Sequence, residues 1–307
     1  MAAIERSEGG PALSIPTNAL LNDRSFTADY ARLEPVSPLI RRIVARNPGP
    51  FTFFGTGTYV VGHGKVAVID PGPALPEHVD ALLAALAGET VSQILITHTH
   101  IDHSTAAAPV KAATGAPVYG FGPHGHAGET GESGADLEFA PDYRLADGEA
   151  VEGPGWRLTP LHTPGHASNH LCFALAEEQA LFSGDHVMGW STTVVAPPDG
   201  DMAAYMASLH RLRQRTDRIY WPTHGGPIRA PQRHVEALVE HRLARRAAVL
   251  AALGLRPATP AALVDAVYAG IDPTLRRAAA QSLLAHLIEL GDIGLAREED
   301  GAWRRAN

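Results

Sequence analysis

Six consecutive residues, His98-Thr99-His100-Ile101-Asp102-His103, constrain this chain more than any other feature. They follow the apolar run SQILIT, which reads as a strand. They precede STAAAPVKAATG, which reads as a helix with Ser104 or Thr105 as its N-cap. The cluster therefore belongs on a loop leaving the C-terminal end of a strand, where α/β sheets build their sites. Side chains two apart along an extended segment point the same way, so His98 and His100 can chelate one ion. Asp102 and His103 are adjacent and diverge, which suits a second ion close by. The purely structural alternative is weak. Three imidazoles and a carboxylate buried together without a cation carry a heavy desolvation cost.

Three later segments offer further donors: His166 in HTPGHASNH, Asp185 in LFSGDHVMG and His224 in YWPTHGG. Each follows a strand-like run and stands at a tight turn, so all three can converge with the first cluster on one sheet edge. The single cysteine, Cys172, excludes an intrachain disulfide. It lies in the strand-like run HLCFAL and reads as a small buried hydrophobe. Any metal site must therefore use imidazole and carboxylate donors, which suit Zn²⁺ and admit Mn²⁺ or Fe.

At 307 residues, 45% hydrophobic and 19% charged, the chain has the composition of an ordinary globular protein with a sizeable core. No run approaches the roughly 18–20 apolar residues of a membrane span. The first residues, MAAIERSEGGPALS, carry charges where a signal peptide needs an apolar stretch, so cytoplasmic residence is the expectation. The net charge of −8 is uneven. Residues 1–227 hold 14 Lys and Arg against 24 Asp and Glu, while residues 228–307 hold 11 against 9. An acidic body argues against broad polyanion binding.

The organisation follows from punctuation and periodicity. Residues 1–25 read as a loose arm, 26–228 as the catalytic domain and 229–307 as a small helical domain. The β-rich region opens at FTFFGTGTYVV from Phe51, and KVAVID follows after a GHG turn. Residues 120–142 read as a glycine-rich, acidic loop whose His124 and His126 could touch substrate but more simply are solvated loop residues. The tail reads as three helices and a hairpin turning at Asp300-Gly301, a winged-helix-like unit.

HTHIDH resembles the H-x-H-x-D-H signature of the metallo-β-lactamase superfamily. TPGHASNH, SGDHVMG and PTHGG resemble its later metal motifs in the expected order. The resemblance covers roughly residues 50–226 and implies an α/β (α+β) fold, an αββα sandwich of two sheets with helices outside. It implies one metal on His98, His100 and His166, and another on Asp102, His103 and His224, with Asp185 bridging. The THGGP run followed by a winged-helix-like tail is similar to a β-lactamase-like branch that includes endoribonucleases, and unlike the glyoxalase II thioesterases with their purely helical tail.

The chemistry expected of such a pair is hydrolysis. Two divalent ions about 3.5–4 Å apart can share a water and lower its pKa towards about 7, and the bridging hydroxide then attacks a carbonyl or phosphoryl centre. Asp102 and Asp185 are the expected catalytic residues. The expected substrate is a small molecule with an ester, thioester or related acyl bond. RNA is the alternative: cleaving it calls for Arg, Lys and stacking aromatics beside the metals, yet Lys65 and Lys111 are the only lysines. A metal-sensing or DNA-binding regulator acting through the tail is the reading from a different class. Arg276 and Arg277 could then meet phosphates, although the tail more simply packs on the body or on a second copy in a homodimer. Asp70 ends a strand near the site and could hold a ligand histidine by its second nitrogen. His162 and His170 flank His166 and admit either the same role or ordinary strand-end hydrogen bonding. Ser191, Thr192 and Thr193 either line the pocket or make turn hydrogen bonds. His63, His78, His210, His234, His241 and His286 read as surface or helix-face residues.

Overall fold

The structure, a computed structural model, describes residues 19–125 and 134–306. Residues 1–18 of the expected arm, and His126 with residues 127–133, lie outside the described residues.

Short runs rich in Val, Ile and Tyr build a first sheet in chain order. It contains β1 (Glu34–Pro35), β2 (Ile40–Val44), β3 (Gly57–Val61), β4 (Lys65–Ile69), β5 (Thr90–Leu95), β6 (Val118–Gly120) and β7 (Tyr143–Arg144). The strands pair antiparallel as far as β4 and parallel from there on. Parallel neighbours need crossovers. Helix α1 (Pro76–Ala85) supplies the first, and α2 (Ile101–Ser104) with α3 (Ala107–Thr114) the second. A second sheet runs β8 (Val151–Gly153), β9 (Trp156–His162), β10 (Leu171–Leu175), β11 (Ala180–Gly184) and β12 (Ile219–Pro222), with α4 (Met202–Arg213) crossing between its parallel pair β11 and β12.

The two-residue period of each strand sorts the side chains into three layers of core. Tyr59, Val61 and Ile69 of the first sheet meet Leu171, Phe173 and Phe182 of the second between the sheets. Val60, Val66 and Val68 point outward under α1 and α3. Cys172, Ala174 and Leu181 point outward under α4 and the start of α5 (Pro231–Ala252). This is the αββα sandwich. Cys172 is the buried hydrophobe that its neighbours suggest, and burial pushes its thiol up to about 12.

Helix α5 serves two cores. Val235 and Leu238 belong to the sandwich, while Val249 joins Leu263, Leu283 and Trp303 in a separate cluster. That cluster is made by α6 (Pro260–Val267), α7 (Arg276–Asp292) and the hairpin of β13 (Ala296–Glu299) and β14 (Ala302–Arg305), a winged-helix arrangement.

Two local expectations change. The strand expected from Phe51 begins at Gly57, because residues 51–55 turn, with Phe53 and Gly55 at φ +57° and +135°. The helix expected after His103 divides into α2 and α3, and Ala106 caps α3 without a side-chain bond. Ser104 and Thr105 instead donate back to the carbonyls of His100 and Ile101.

Gly165 takes φ +135° where the turn before His166 crosses α4, and a Cβ there would lie 2.3 Å from Tyr205 Cα. Gly165→Ala should cost at least about 2 kcal/mol in urea denaturation. Gly148→Ala, at φ +79° with open space around it, should cost about half that. Equal costs would contradict the close approach.

Candidate metal centre

The expected donors follow the ends of four strands on one side of the sandwich. His98, His100, Asp102 and His103 follow β5, and His166 stands between β9 and β10. Asp185 follows β11 and His224 follows β12. Gly184 turns β11 into Asp185 at φ +53°, with His170 Nε2 2.5 Å from the position a Cβ would take.

The seven side chains come together. His98 Nε2 and His166 Nε2 lie 2.8 and 3.1 Å from His100 Nδ1. Asp102 Oδ2 lies 3.2 Å from His224 Nε2 and 3.5 Å from His103 Nε2. Asp185 Oδ2 is 3.4 Å from His224 Nε2, 3.5 Å from His103 Nε2 and 3.8 Å from His166 Nε2, within reach of both groups. Three donor sets here could each hold an ion: His98-His100-His166, His98-His103-Asp185 and Asp102-His103-His224.

The outer nitrogens explain why the inner ones point inward. His103 Nδ1 donates to Asp70 Oδ2 at 2.9 Å, His166 Nδ1 to Val194 O at 2.7 Å and His224 Nδ1 to Gly55 O at 3.1 Å. Thr97 Oγ1 donates its proton to Asp70 Oδ2 at 2.7 Å, so it accepts from His98 Nδ1 at 3.1 Å. In its neutral form each of these rings therefore turns an Nε2 lone pair toward the centre. Among the described residues, His103 Nε2 and Asp185 Oδ1 are buried with no hydrogen-bond partner. Converging lone pairs and carboxylate oxygens of this kind fit a divalent cation.

The electrostatics divide the site in two. Burial, with the neighbouring histidines, holds His98 well below the ordinary imidazole range and pushes His100 down to about 3, so both are neutral donors. Burial also works against charge on His103 and His224. There the carboxylates overcome it: Asp102, Asp185 and Asp70 raise His103 well above its ordinary value, and Asp185 and Asp102 raise His224 to about 9. The same pairing overcomes desolvation at Asp102 and Asp185 and keeps both carboxyls below the usual carboxylate range. This half of the site favours positive charge, whether carried by protons or by a metal ion.

The sequence suggested Asp70 as a support, and the structure gives it that contact. His170 supports a ligand loop too, since its Nε2 accepts from Asp185 N at 3.3 Å. His162 bonds Ser168 O in the same turn through Nε2 at 2.9 Å, and its ring stacks on Phe121 with centroids 4.1 Å apart. His124 is a buried partner of Thr99 Oγ1, at 2.9 Å, rather than a solvated loop residue. Thr193 makes turn bonds to Asp185 O and His186 O. His78, His234 and His286 do lie on helix faces, but on the buried ones, and each bonds a carbonyl or a carboxylate. Sequence reading missed Thr97, Thr223, Thr56 and Arg42. Thr223 Oγ1 reaches Asp70 Oδ2 at 3.1 Å, Thr56 Oγ1 reaches Asp102 Oδ2 at 3.2 Å, and Arg42 grips the carbonyls of Thr223 and Gly225. A signal for two of them was present: a threonine immediately precedes both His98 and His224.

Comparison with known proteins places this architecture. The family model of the metallo-beta-lactamase superfamily matches residues 51–224, and that of the beta-lactamase associated winged helix domain matches residues 259–303. An atrochrysone carboxyl ACP thioesterase of Aspergillus chevalieri is 30% identical over 310 residues, covering 92% of this chain and 94% of the relative. Another, from Cryptosporiopsis, is 30% identical over 224 residues, and the match spans 72% of this chain and 65% of that relative. Among solved structures, a metallo-beta-lactamase family protein of Thermus thermophilus superposes with a TM-score of 0.74 at 28% identity, over 88% of this chain and 100% of that one. The chain belongs to the metallo-beta-lactamase superfamily. It is a hydrolase of that superfamily, with a C-terminal winged-helix domain. Among the described residues no helix is long and apolar enough to cross a membrane.

The supports and the charges can each be tested. Asp70→Asn should weaken metal affinity about 10- to 100-fold in a chelator competition titration, because His103 loses its carboxylate partner; unchanged affinity would contradict the role given to Asp70. The second test concerns metal-free protein. His103 and His224 bind protons more tightly folded than unfolded, so their stabilisation is complete below pH 6.5 and is lost as the pH climbs towards about 9. His98 and His100 are depressed, so the folded state loses ground as the pH falls below 6.5, and protonation of Asp102 and Asp185 adds to the loss in stronger acid. The thermal midpoint of chelator-treated protein should peak near pH 6.5 and fall on both sides. A midpoint rising steadily from pH 6.5 to 9 would contradict this.

Proposed function

We propose that this chain is a dinuclear metal-dependent hydrolase that cleaves the thioester, or a related acyl bond, of a small acyl group. In this reading His98, His100 and His166 hold one ion, and Asp102, His103 and His224 hold the other. Asp185 bridges the two. The observation that carries the reading is the position of the Asp185 carboxylate, with Oδ2 within 3.8 Å of a ligand from each set. Ions held there supply a Lewis acid at the carbonyl and acidify a water into the nucleophile. The preference for Zn²⁺ over Mn²⁺ or Fe rests on the all-imidazole and carboxylate donor set.

The protein's own part is positioning. His98 and His100 stay neutral through the working pH range and keep their lone pairs for binding. Asp70 fixes His103, and the carbonyls of Val194 and Gly55 fix His166 and His224. Asp102 has the most accessible of the carboxylates, 23% exposed, and stays ionised beside its two histidines. That exposure suits it to orient the attacking water while it helps to hold an ion. The names of the relatives favour a thioester among the acyl bonds, and the ACP in those names favours an acyl group presented on a carrier thiol.

A parallel assay separates this from the phosphodiester reading. Metal-loaded protein should hydrolyse an acyl thioester of N-acetylcysteamine faster than bis-nitrophenyl phosphate or single-stranded RNA. Asp185→Ala should lower kcat/KM on the thioester by at least about 100-fold, because a ligand shared by both ions supports several kcal/mol of transition-state stabilisation. Preferred cleavage of RNA, or activity untouched by Asp185→Ala, would overturn the proposal.

A further inference from the structure

Helices α5 and α7 meet the surroundings of the candidate metal centre at a short segment. Residues 193–195 run between the ligand loops on one side and α5 and α7 on the other. On the inner side, Val194 O accepts from His166 Nδ1 at 2.7 Å, and Thr193 Oγ1 donates to Asp185 O at 2.6 Å and His186 O at 3.2 Å. On the outer side, the Arg242 guanidinium donates to Thr193 O, and Val195 N donates to Ser282 Oγ at 3.3 Å. The same backbone thus orients one histidine and the bridging aspartate while α5 and α7 hold its other face.

Arg242 is an unusual residue to find there. It is 2% exposed, and among the described residues no carboxylate lies within ion-pair distance of it. Burying a charge without a counter-ion is costly, and an aliphatic side chain could fill similar space. What the arginine adds is a donor for Thr193 O and a contact with the Tyr205 ring, 5.1 Å from its centroid. Tyr205 belongs to the same brace. Its hydroxyl donates to His186 O at 3.0 Å, and its backbone packs against Gly165, next to His166. Ser282, also buried, sits on α7 among the helices of the winged unit.

We propose that Arg242 and Ser282 are positioning residues for the metal ligands, so that the C-terminal unit sets His166 and Asp185 by holding residues 193–195 in register. This rests on the metal-binding reading given above. It assigns the winged helix a part in building the site, independent of any nucleic acid.

The test compares two arginines one turn apart on α5. Arg245 donates to Val267 O at 2.8 Å and lies over Tyr268 at 4.2 Å, contacts made away from residues 193–195. Full-length Arg242→Met, Arg242→Lys, Ser282→Ala and Arg245→Met would be titrated with Zn²⁺ against a chelator. The absorption of their Co²⁺ forms and the thermal midpoints of their metal-free forms would be recorded alongside. Arg242→Met should weaken metal affinity about 10- to 100-fold and change the Co²⁺ absorption, as loss of a ligand's support does. Arg242→Lys should recover part of the affinity, and Arg245→Met should lower the midpoint while leaving affinity and absorption as in the wild type. If Arg242→Met does not fold, Ser282→Ala carries the comparison with about a threefold loss, in keeping with one hydrogen bond. Wild-type affinity in the Arg242 and Ser282 variants would overturn the proposal, and so would an equal loss in Arg245→Met. Failure of the wild-type protein itself to bind Zn²⁺ would overturn the metal reading beneath it, a result distinct from either.

Discussion

The site hangs on one buried carboxylate. Asp70 ends β4 at φ +46° and is 1% exposed. Its Oδ1 accepts from Thr97 N at 2.8 Å, and its Oδ2 accepts from Thr97 Oγ1, His103 Nδ1 and Thr223 Oγ1. Those groups come from the ends of β5 and β12 and from α2, so one side chain ties the two sheets together at the edge where the ligands emerge. A left-handed backbone at a non-glycine residue carries strain, and four donors onto one carboxylate are what hold it. Through Thr97 the same carboxylate sets the tautomer of His98, and so reaches both halves of the donor set.

The two halves solve the cost of burying polar groups differently. His98, His100 and His166 are packed as a ring of imidazoles, with centroids 4.5 to 4.9 Å apart, and in that crowd His98 and His100 stay neutral. Asp102, His103, Asp185 and His224 form an alternating set of opposite charges. An apolar core would fill this volume with less desolvation. A cluster that leaves His103 Nε2 and Asp185 Oδ1 buried without a hydrogen-bond partner among the described residues is built for something other than stability.

Much of this was legible in the chain, for a physical reason. Four of the seven donors are local in sequence, and the rest stand at strand ends marked by glycine or proline, as in TPGH, SGD and THGG. The sandwich followed from the resemblance those motifs carry, and the winged unit from periodicity and an Asp-Gly turn. What stayed hidden depends on tertiary contacts. Strand β2 reads IRRIV, with two arginines where a buried strand should be apolar. Arg41 pairs with Glu89 at 2.6 Å, and Arg42 is drawn under the His224 loop. His78, His234 and His286 look superficial in sequence because nothing local announces the partner that satisfies each ring in the interior. The brace from Arg242 is of the same kind, since its target lies 49 residues away.

The central claim is that this donor set holds two ions that share Asp185. Diffraction from zinc-loaded crystals on either side of the zinc absorption edge tests it most directly. The account predicts two anomalous peaks, one among His98, His100 and His166 and one among Asp102, His103 and His224, with Asp185 touching both. A single peak, or zinc bound away from these seven residues, would contradict it.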